Sequence, residues 1–435
     1  MLARKIHFAI LLSILTVSVQ VRVSGCPSLQ EYQNRRQQYA QQVTRGITVL
    51  FNTPESDLTE VVPDKDFYYF TGITEPDAVL VLAPRNSRHR ETLFVRSRNP
   101  EKERYTGPRL EAGEASAQRL GIERVMELPH LSAELRRLAE GEDEVYTHLP
   151  AGDALQFAWL SVQVERLKSV LPFARIREMQ SYSARLRMRK SPAELDCLRK
   201  AIAITQAAQR EAAKAIAPGK FEYEIEAVLE FEFRKRGATR PGFPSIVGSG
   251  PNSTILHYDK NSRRMQSGDV VIVDIGAEFS GYTADVTRTF PVNGKFSERQ
   301  RAIYEIVLGA QEAALKAVRP GALISKSGSI HRTAFDYIDR HGKDSKGGSL
   351  SRFFIHGTSH HLGLDVHDTV DDNNTPLEPG MVITVEPGIY IPEEQLGIRI
   401  EDVVLVTETG YELLSRSLPR RPEEIEALMT DRSQD

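Results

Sequence analysis

Apolar and polar positions divide the chain into three regimes. Residues 6–19 form a largely apolar run behind Arg4 and Lys5. Its 14 residues fall short of the roughly 20 that a membrane-spanning helix needs. Positive charge followed by a short apolar run predicts a secretory signal over residues 1–25. Residues 27–180 then mix helical and strand spacing, which predicts one α/β unit. EYQNRRQQYAQQV, at 31–43, has helical spacing. ITVLF at 47–51, AVLVLAP at 78–84 and ETLFVR at 91–96 are short apolar runs bounded by turn formers, the mark of buried strands. The segments 115–122 and 131–141 are spaced as helices, and an aromatic-rich stretch, DFYYFTGI, lies at 66–73. No polar constellation in this unit suggests chemistry.

The third regime, residues 185–425, opens on a helix start. Ser191, Pro192 and Glu194 have the spacing of a capping box with proline at the first helical position. A long helix follows to Pro218-Gly219, and a second one, YEIEAVLEFEFRKRGA, ends at Gly237. The boundary between the two units falls near 180–188. Four segments rich in β-branched residues come next: VVIVDIGAEF, YTADVTRTF, MVITVEPGIYI and GIRIEDVVLVT. The helical segment SERQRAIYEIVLGAQEAALKAV separates the two pairs. Two helix-plus-hairpin halves predict a pseudo-twofold α+β layout, with no strict repeat at residue level.

Hairpin geometry links this pattern to chemistry. With Ser280-Gly281 as a two-residue turn, Phe279 faces Tyr282 and Asp285 faces Gly276. Asp274 and Asp285 then project from one face as diagonal neighbours, about 7–8 Å apart at the backbone. Gly276 is expected to leave room for an ion. Apolar flanks on both strands argue against a solvent-exposed edge. Glu386 in VITVEPGIYI and Glu401 in GIRIEDVVLV repeat the anomaly of a carboxylate in an apolar strand. Burying an ionised carboxylate without a partner is prohibitive, so four such sites call for positive charge. Two divalent ions would balance four carboxylates. Donor oxygens with some imidazole favour a hard ion such as Mn²⁺, and no cysteine joins the set.

HGTSHHLGLDVHD adds His356, His360, His361 and His367. Their density, with Gly357 and Gly363 beside them, favours a site, and His360 is the leading ligand. His361 follows it directly and is expected to point away as a structural residue. His257 is isolated. A net charge of −3 gives no sign of a nucleic-acid partner. Two cysteines exclude a disulfide framework. Cys197, in the long helix, reads as a core or half-buried thiol. Val23-Ser24-Gly25-Cys26 resembles a lipoprotein cleavage box, which would make Cys26 a lipid anchor. The other readings are plain cleavage after Gly25 or an uncleaved anchor. The first two place the protein outside the cytoplasm, in a bacterial periplasm or on a membrane.

Several phrases resemble the aminopeptidase P and prolidase family of pita-bread metallopeptidases. RRQQYAQQV and DFYYFTGITEPDAVLVL are similar to its creatinase-like N-terminal domain. SIVGSGPNSTILHYDKN, VDIGAEFSGYTADVTRTFPVNGKFS, HGTSHHLGLDVHD, LEPGMVITVEPGIYI and GIRIEDVVLVTETG are similar to its catalytic domain, in order. The resemblance implies that Asp274, Asp285, His360, Glu386 and Glu401 ligate two divalent ions, Mn²⁺ first and Zn²⁺ or Co²⁺ as alternatives. Asp285 and Glu401 would bridge them. It also implies substrate or transition-state contacts for His257, His356 and His367, a proton-relay role for Glu386, and substrate or ligand-supporting roles for Tyr390 and Arg399. The implied reaction releases the residue preceding a proline from a peptide N-terminus. The alternatives are a prolidase confined to dipeptides and a non-catalytic binding protein. Dimers or tetramers are expected from the family. The chain departs from the family pattern at Asp368-Thr369-Val370-Asp371 and in the shorter stretch before His356.

Overall fold

The computed structural model describes residues 27–56, 61–150, 158–325, 328–344, 346–372 and 374–430. The expected signal segment and Cys26 lie outside these residues. The N-terminal unit is built on a six-stranded mixed sheet. Its strands lie in the order Arg124–Glu127, Glu91–Val95, Val79–Leu82, Ile47–Phe51, Glu144–Thr147, Arg175–Glu178. The three strands expected from apolar runs are its antiparallel middle. The other three add in parallel, and apolar runs do not reveal them. Arg175–Glu178, for instance, reads RIRE and is largely exposed. The aromatic stretch is a short helix, Lys65–Thr71, capped by the Asp64 carboxylate, which accepts from Phe67 N at 2.8 Å.

The helix Pro192–Ala215 starts as its sequence predicts. Ser191 Oγ accepts from Glu194 N, and Glu194 Oε2 accepts from Ser191 N. This helix is packed on two sides. Ile204, Ala208 and Ala212 enter the catalytic core, whereas Leu198, Ala201 and Ile202 join a core shared with Phe67 and Tyr69 of the N-terminal unit. Cys197 is buried and disulfide-bonded, which corrects the expectation of a thiol.

Two similar halves form the C-terminal unit, which the resemblance makes the catalytic one. Helices Pro192–Ala215 and Glu222–Lys235 accompany the antiparallel strands Ile246–Ser249, Val270–Ile275 and Val286–Pro291. Helices Glu298–Ala317 and Ser329–His341 accompany Val382–Val385, Asp402–Val406 and Tyr411–Leu413. The second half also opens on a capping box, Ser297 with Gln300.

The predicted hairpin register is present: Phe279 faces Tyr282 and Asp274 faces Thr287. Ser280 and Gly281 both have positive φ, 53° and 80°, as a two-residue turn with the twist of its strands requires. The four expected strands are, however, each broken in two. Val270–Ile275 and Ala277–Phe279 part at Gly276; Tyr282–Thr283 and Val286–Pro291 part at Ala284-Asp285. Val382–Val385 and Gly388–Ile391 part at Glu386-Pro387; Leu396–Arg399 and Asp402–Val406 part at Ile400-Glu401. The break at Gly276 also corrects the role expected for that glycine. A Cβ there would lie 1.8 Å from the Ala284 carbonyl oxygen, so the missing side chain admits backbone, not an ion.

Candidate metal centre

The strand breaks place the carboxylates. Asp285, Glu386 and Glu401 occupy three of the four gaps, and Asp274 lies two residues before the remaining one. At a gap the chain turns out of the sheet, so carboxylates from both halves face one another. Ligand atoms of Asp285, His360 and Glu401 lie within 4.8 Å of one another. His360 Nε2 lies 3.4 Å from both Asp285 Oδ2 and Glu386 Oε1. Asp274 and Glu386 line the same 330 Å³ cavity as these three. Exposure is only 8 % at Asp274, 4 % at Asp285 and 1 % at Glu401.

Four of the five donors are oriented from behind. His360 Nδ1 faces the His361 carbonyl at 3.0 Å; a carbonyl only accepts, so Nδ1 carries the proton. That leaves the Nε2 lone pair directed at the carboxylates, the tautomer a metal ligand requires. Thr287 Oγ1 donates to Glu401 Oε2 at 2.7 Å, and Arg399 Nη2 donates to Asp274 Oδ2 at 2.7 Å. Thr384 Oγ1 lies 3.4 Å from Glu386 Oε1.

Electrostatics shows what the cluster lacks. Burial, then the charges of Asp274 and Glu386, pushes the Asp285 carboxyl well above the usual range. Glu401 is pushed well up by burial and by Asp285, and burial raises Glu386. Asp274 Oδ1 is buried without any hydrogen-bond partner. Oxygen and imidazole donors, mutual repulsion and an orphaned carboxylate oxygen together fit a hard divalent cation.

The histidines divide by what holds them. His257 and His367 are exposed in the cleft and line both the 330 Å³ chamber and a second one of 270 Å³ beside it. The His367 ring centroid is 4.3 Å from that of His360. His356 lines only the second chamber, and both its nitrogens are engaged. Nδ1 donates to the Gly357 carbonyl at 2.7 Å, and Nε2 lies 2.8 Å from Tyr390 Oη. Arg399 Nη1 donates to Tyr390 Oη at 2.9 Å. Burial and the Arg399 charge hold His356 at about 3, so it is neutral and accepts from Tyr390. Arg399 thus donates to Asp274 with one nitrogen and with another starts a chain that runs through Tyr390 and His356 to the Gly357 carbonyl. His361 is buried and lines neither chamber, in line with its structural reading.

Similarity to known proteins agrees with this geometry. The model of metallopeptidase family M24 matches residues 196–408, and that of the aminopeptidase P N-terminal domain matches residues 32–146. The chain is 40 % identical to Xaa-Pro aminopeptidase of Escherichia coli K12 over 92 % of its own length and 98 % of that protein's. It belongs to the aminopeptidase P family. Human Xaa-Pro aminopeptidase 3 is 33 % identical over 92 % of this chain and 84 % of its own. Aminopeptidase P from E. coli, solved with the inhibitor Pro-Leu, superposes with a TM-score of 0.81 at 38 % identity, covering 92 % of this chain and 98 % of that one. A putative aminopeptidase P from Bacillus anthracis gives 0.84 at 32 % identity, with the same coverage. This family member is a metal-dependent aminopeptidase, so the reading as a non-catalytic binding protein is set aside.

One buried network near the site escaped the sequence. Arg187 pairs with Asp66 of the N-terminal unit and with Asp365 and Asp368 beside His367. Lys190 Nζ also donates to Asp368, at 2.9 Å. His148 joins through Asp66, 3.0 Å from its Nε2, and through Glu178. The only signal was the density of charge around 185–190 and 365–368, which does not name partners so far apart in sequence.

Proposed function

We propose that the protein releases the N-terminal residue from peptides with proline in the second position, using two divalent ions, Mn²⁺ in the first instance. The observation that carries this is the meeting of five donors from two strand pairs and one loop around one chamber. Arg399 offsets one of the four carboxylates. Two divalent ions then leave one positive charge, which suits a single anionic nucleophile. When bound, such a pair lowers the pKa of a water and polarises the scissile carbonyl.

The remaining tasks fall to side chains. The Phe243, Pro244, Ile246 and Val366 wall of the larger chamber suits a pyrrolidine ring. His257 and His367 project into the cleft, where an imidazole N–H can donate to the carbonyl oxygen as charge develops on it. His356, with both nitrogens engaged, acts by ordering Tyr390 and Arg399. A bond to proline has no N–H, and the departing secondary amine must gain a proton. Glu386, at the border of both chambers, is placed to carry it. Ile255 and Ile355, 52 % and 56 % exposed, flank the histidines and offer apolar contacts to a peptide longer than a dipeptide. This favours the aminopeptidase over a prolidase.

Glu386→Gln tests the assignment. Its kcat on an Xaa-Pro peptide should fall by about 10²–10⁴-fold, the range of a lost acid–base group. Unchanged turnover with normal metal content would remove Glu386 from proton transfer. A dipeptide compared with a longer Xaa-Pro peptide tests length preference: a higher kcat/KM for the dipeptide would restore the prolidase reading.

We also propose that the protein is exported: a disulfide-bonded Cys197 fits an oxidising compartment. Mass spectrometry of the mature N-terminus decides between a thioether-linked lipid and none.

A further inference from the structure

Two buried glutamines, one in each half, grip the backbone next to all four carboxylates. Gln209 lies in the helix Pro192–Ala215, and its Nε2 donates to the carbonyls of Val273 and Val286, both at 2.9 Å. Val273 precedes Asp274, and Val286 follows Asp285. Gln311 lies in the pseudo-equivalent helix Glu298–Ala317. Its Nε2 donates to the carbonyls of Val385 and Ile400, both at 3.1 Å, and lies 3.0 Å from Asp402 Oδ2. Val385 precedes Glu386, and Ile400 precedes Glu401. Both glutamines are fully buried. Only an amide nitrogen can face two carbonyls, so the side-chain orientation is not in question.

We propose that Gln209 and Gln311 are positioning residues that set the separation within each carboxylate pair, and through it the affinity for divalent metal. An amide nitrogen has two hydrogens in a fixed plane. Directed at one carbonyl from each strand of a pair, it ties the strands together beside the breaks. The inference rests on the metal reading of the site.

The two glutamines differ in their oxygens. Gln311 Oε1 accepts from Arg420 Nη1 at 3.3 Å. Gln209 Oε1 is buried with no partner. Gln209→Met preserves length and burial and removes that orphaned oxygen, but it also takes a donor from the Val273 and Val286 carbonyls, which costs stability. Positioning therefore predicts weaker metal binding than in a variant that loses a comparable buried glutamine bond elsewhere.

The experiment is calorimetric titration of chelator-stripped protein with Mn²⁺ alone. Gln209→Met and Gln311→Met should each bind about 10–100-fold more weakly than the parent, the range seen when groups behind a ligand are removed. Gln206→Met is the control. Gln206 is buried in the same helix but serves the Ser415 carbonyl and the Ser417 hydroxyl, neither of them backbone adjoining a ligand. Its affinity should match the parent. Parent-like Mn²⁺ affinity in Gln209→Met or Gln311→Met overturns the proposal, as does an equal loss in Gln206→Met. If Gln209→Met does not fold, Gln311→Met carries the same test. A parent that takes up no Mn²⁺ would instead sink the metal reading itself.

Discussion

The two halves of the catalytic unit share one plan but use their hairpins differently. In the first half the tip, residues 277–283, faces the N-terminal unit. Tyr68 Oη donates to the Ser280 carbonyl at 3.1 Å, and Arg35 Nη2 donates to Tyr282 Oη at 3.1 Å. In the second half the tip, Gly388–Ile391 paired with Leu396–Arg399, stays at the site and carries Tyr390 and Arg399. The halves also brace each other. Thr287 of the first holds Glu401 of the second, and Arg399 of the second holds Asp274 of the first. The same hairpin tip thus serves docking in one half and the site in the other, and neither half finishes its own ligand set.

The largest effect expected is from metal removal. Chelation should abolish hydrolysis and lower the melting temperature, and Mn²⁺ should restore both; at 100-fold excess over Kd the ion contributes about 2.7 kcal/mol. Arg399→Met should come next. It strips the charge partner from buried Asp274, a loss of about 3–5 kcal/mol for a broken buried pair, read by denaturant unfolding of the apoprotein. Were the halves independent, this second-half change would leave Asp274 undisturbed and stability intact. Thr287→Val is the reciprocal probe. It removes the donor to Glu401 with little change in shape, and should weaken Mn²⁺ binding about 10-fold or more while KM for peptide changes little.

Gly276→Ala tests the break itself. Its methyl meets the Ala284 carbonyl, and overpacking of this kind costs about 1–3 kcal/mol, measurable by thermal unfolding. The smallest effect belongs to the docking side. Burial pulls His148 down, but hydrogen bonds to Asp66 and Glu178 prevail and raise it to about 11 from 6.5. A raised value means that its contribution is complete below pH 6.5 and fades as pH climbs toward 11. Stability should decline across that window in the parent and less so in His148→Gln, with Mn²⁺ affinity at pH 7 equal in both.

What the sequence disclosed follows from how local each feature is. The capping box at Ser191 and the turn at Ser280-Gly281 depend on neighbours within four residues, and the structure contains both. The Asp274–Asp285 relation needed only strand alternation and that turn. The strand breaks were hidden because β-branched residues lie close on both sides of Ala284-Asp285 and of Glu401. What interrupts the strands there is contact with the other half, such as Glu401 N donating to the Thr287 carbonyl. The link from His148 through Asp66 to Arg187 and Asp368 was illegible for the same reason. Its members are scattered over 300 residues, and each alone reads as an ordinary surface charge.

That last network sets an order on how the protein is made. Asp66 and His148 leave the ribosome well before Arg187, and Asp365 and Asp368 follow only after most of the catalytic unit. Until then Arg187 has one of its three carboxylates, and the shared face of Pro192–Ala215 lacks Leu362 and Leu364, which pack on it later. The junction between the two units is therefore incomplete until the loop that bears His367 is present. A nascent chain cut short before residue 365 would carry an unfinished junction and a prominent apolar seam, the kind of surface that quality-control proteases and chaperones engage.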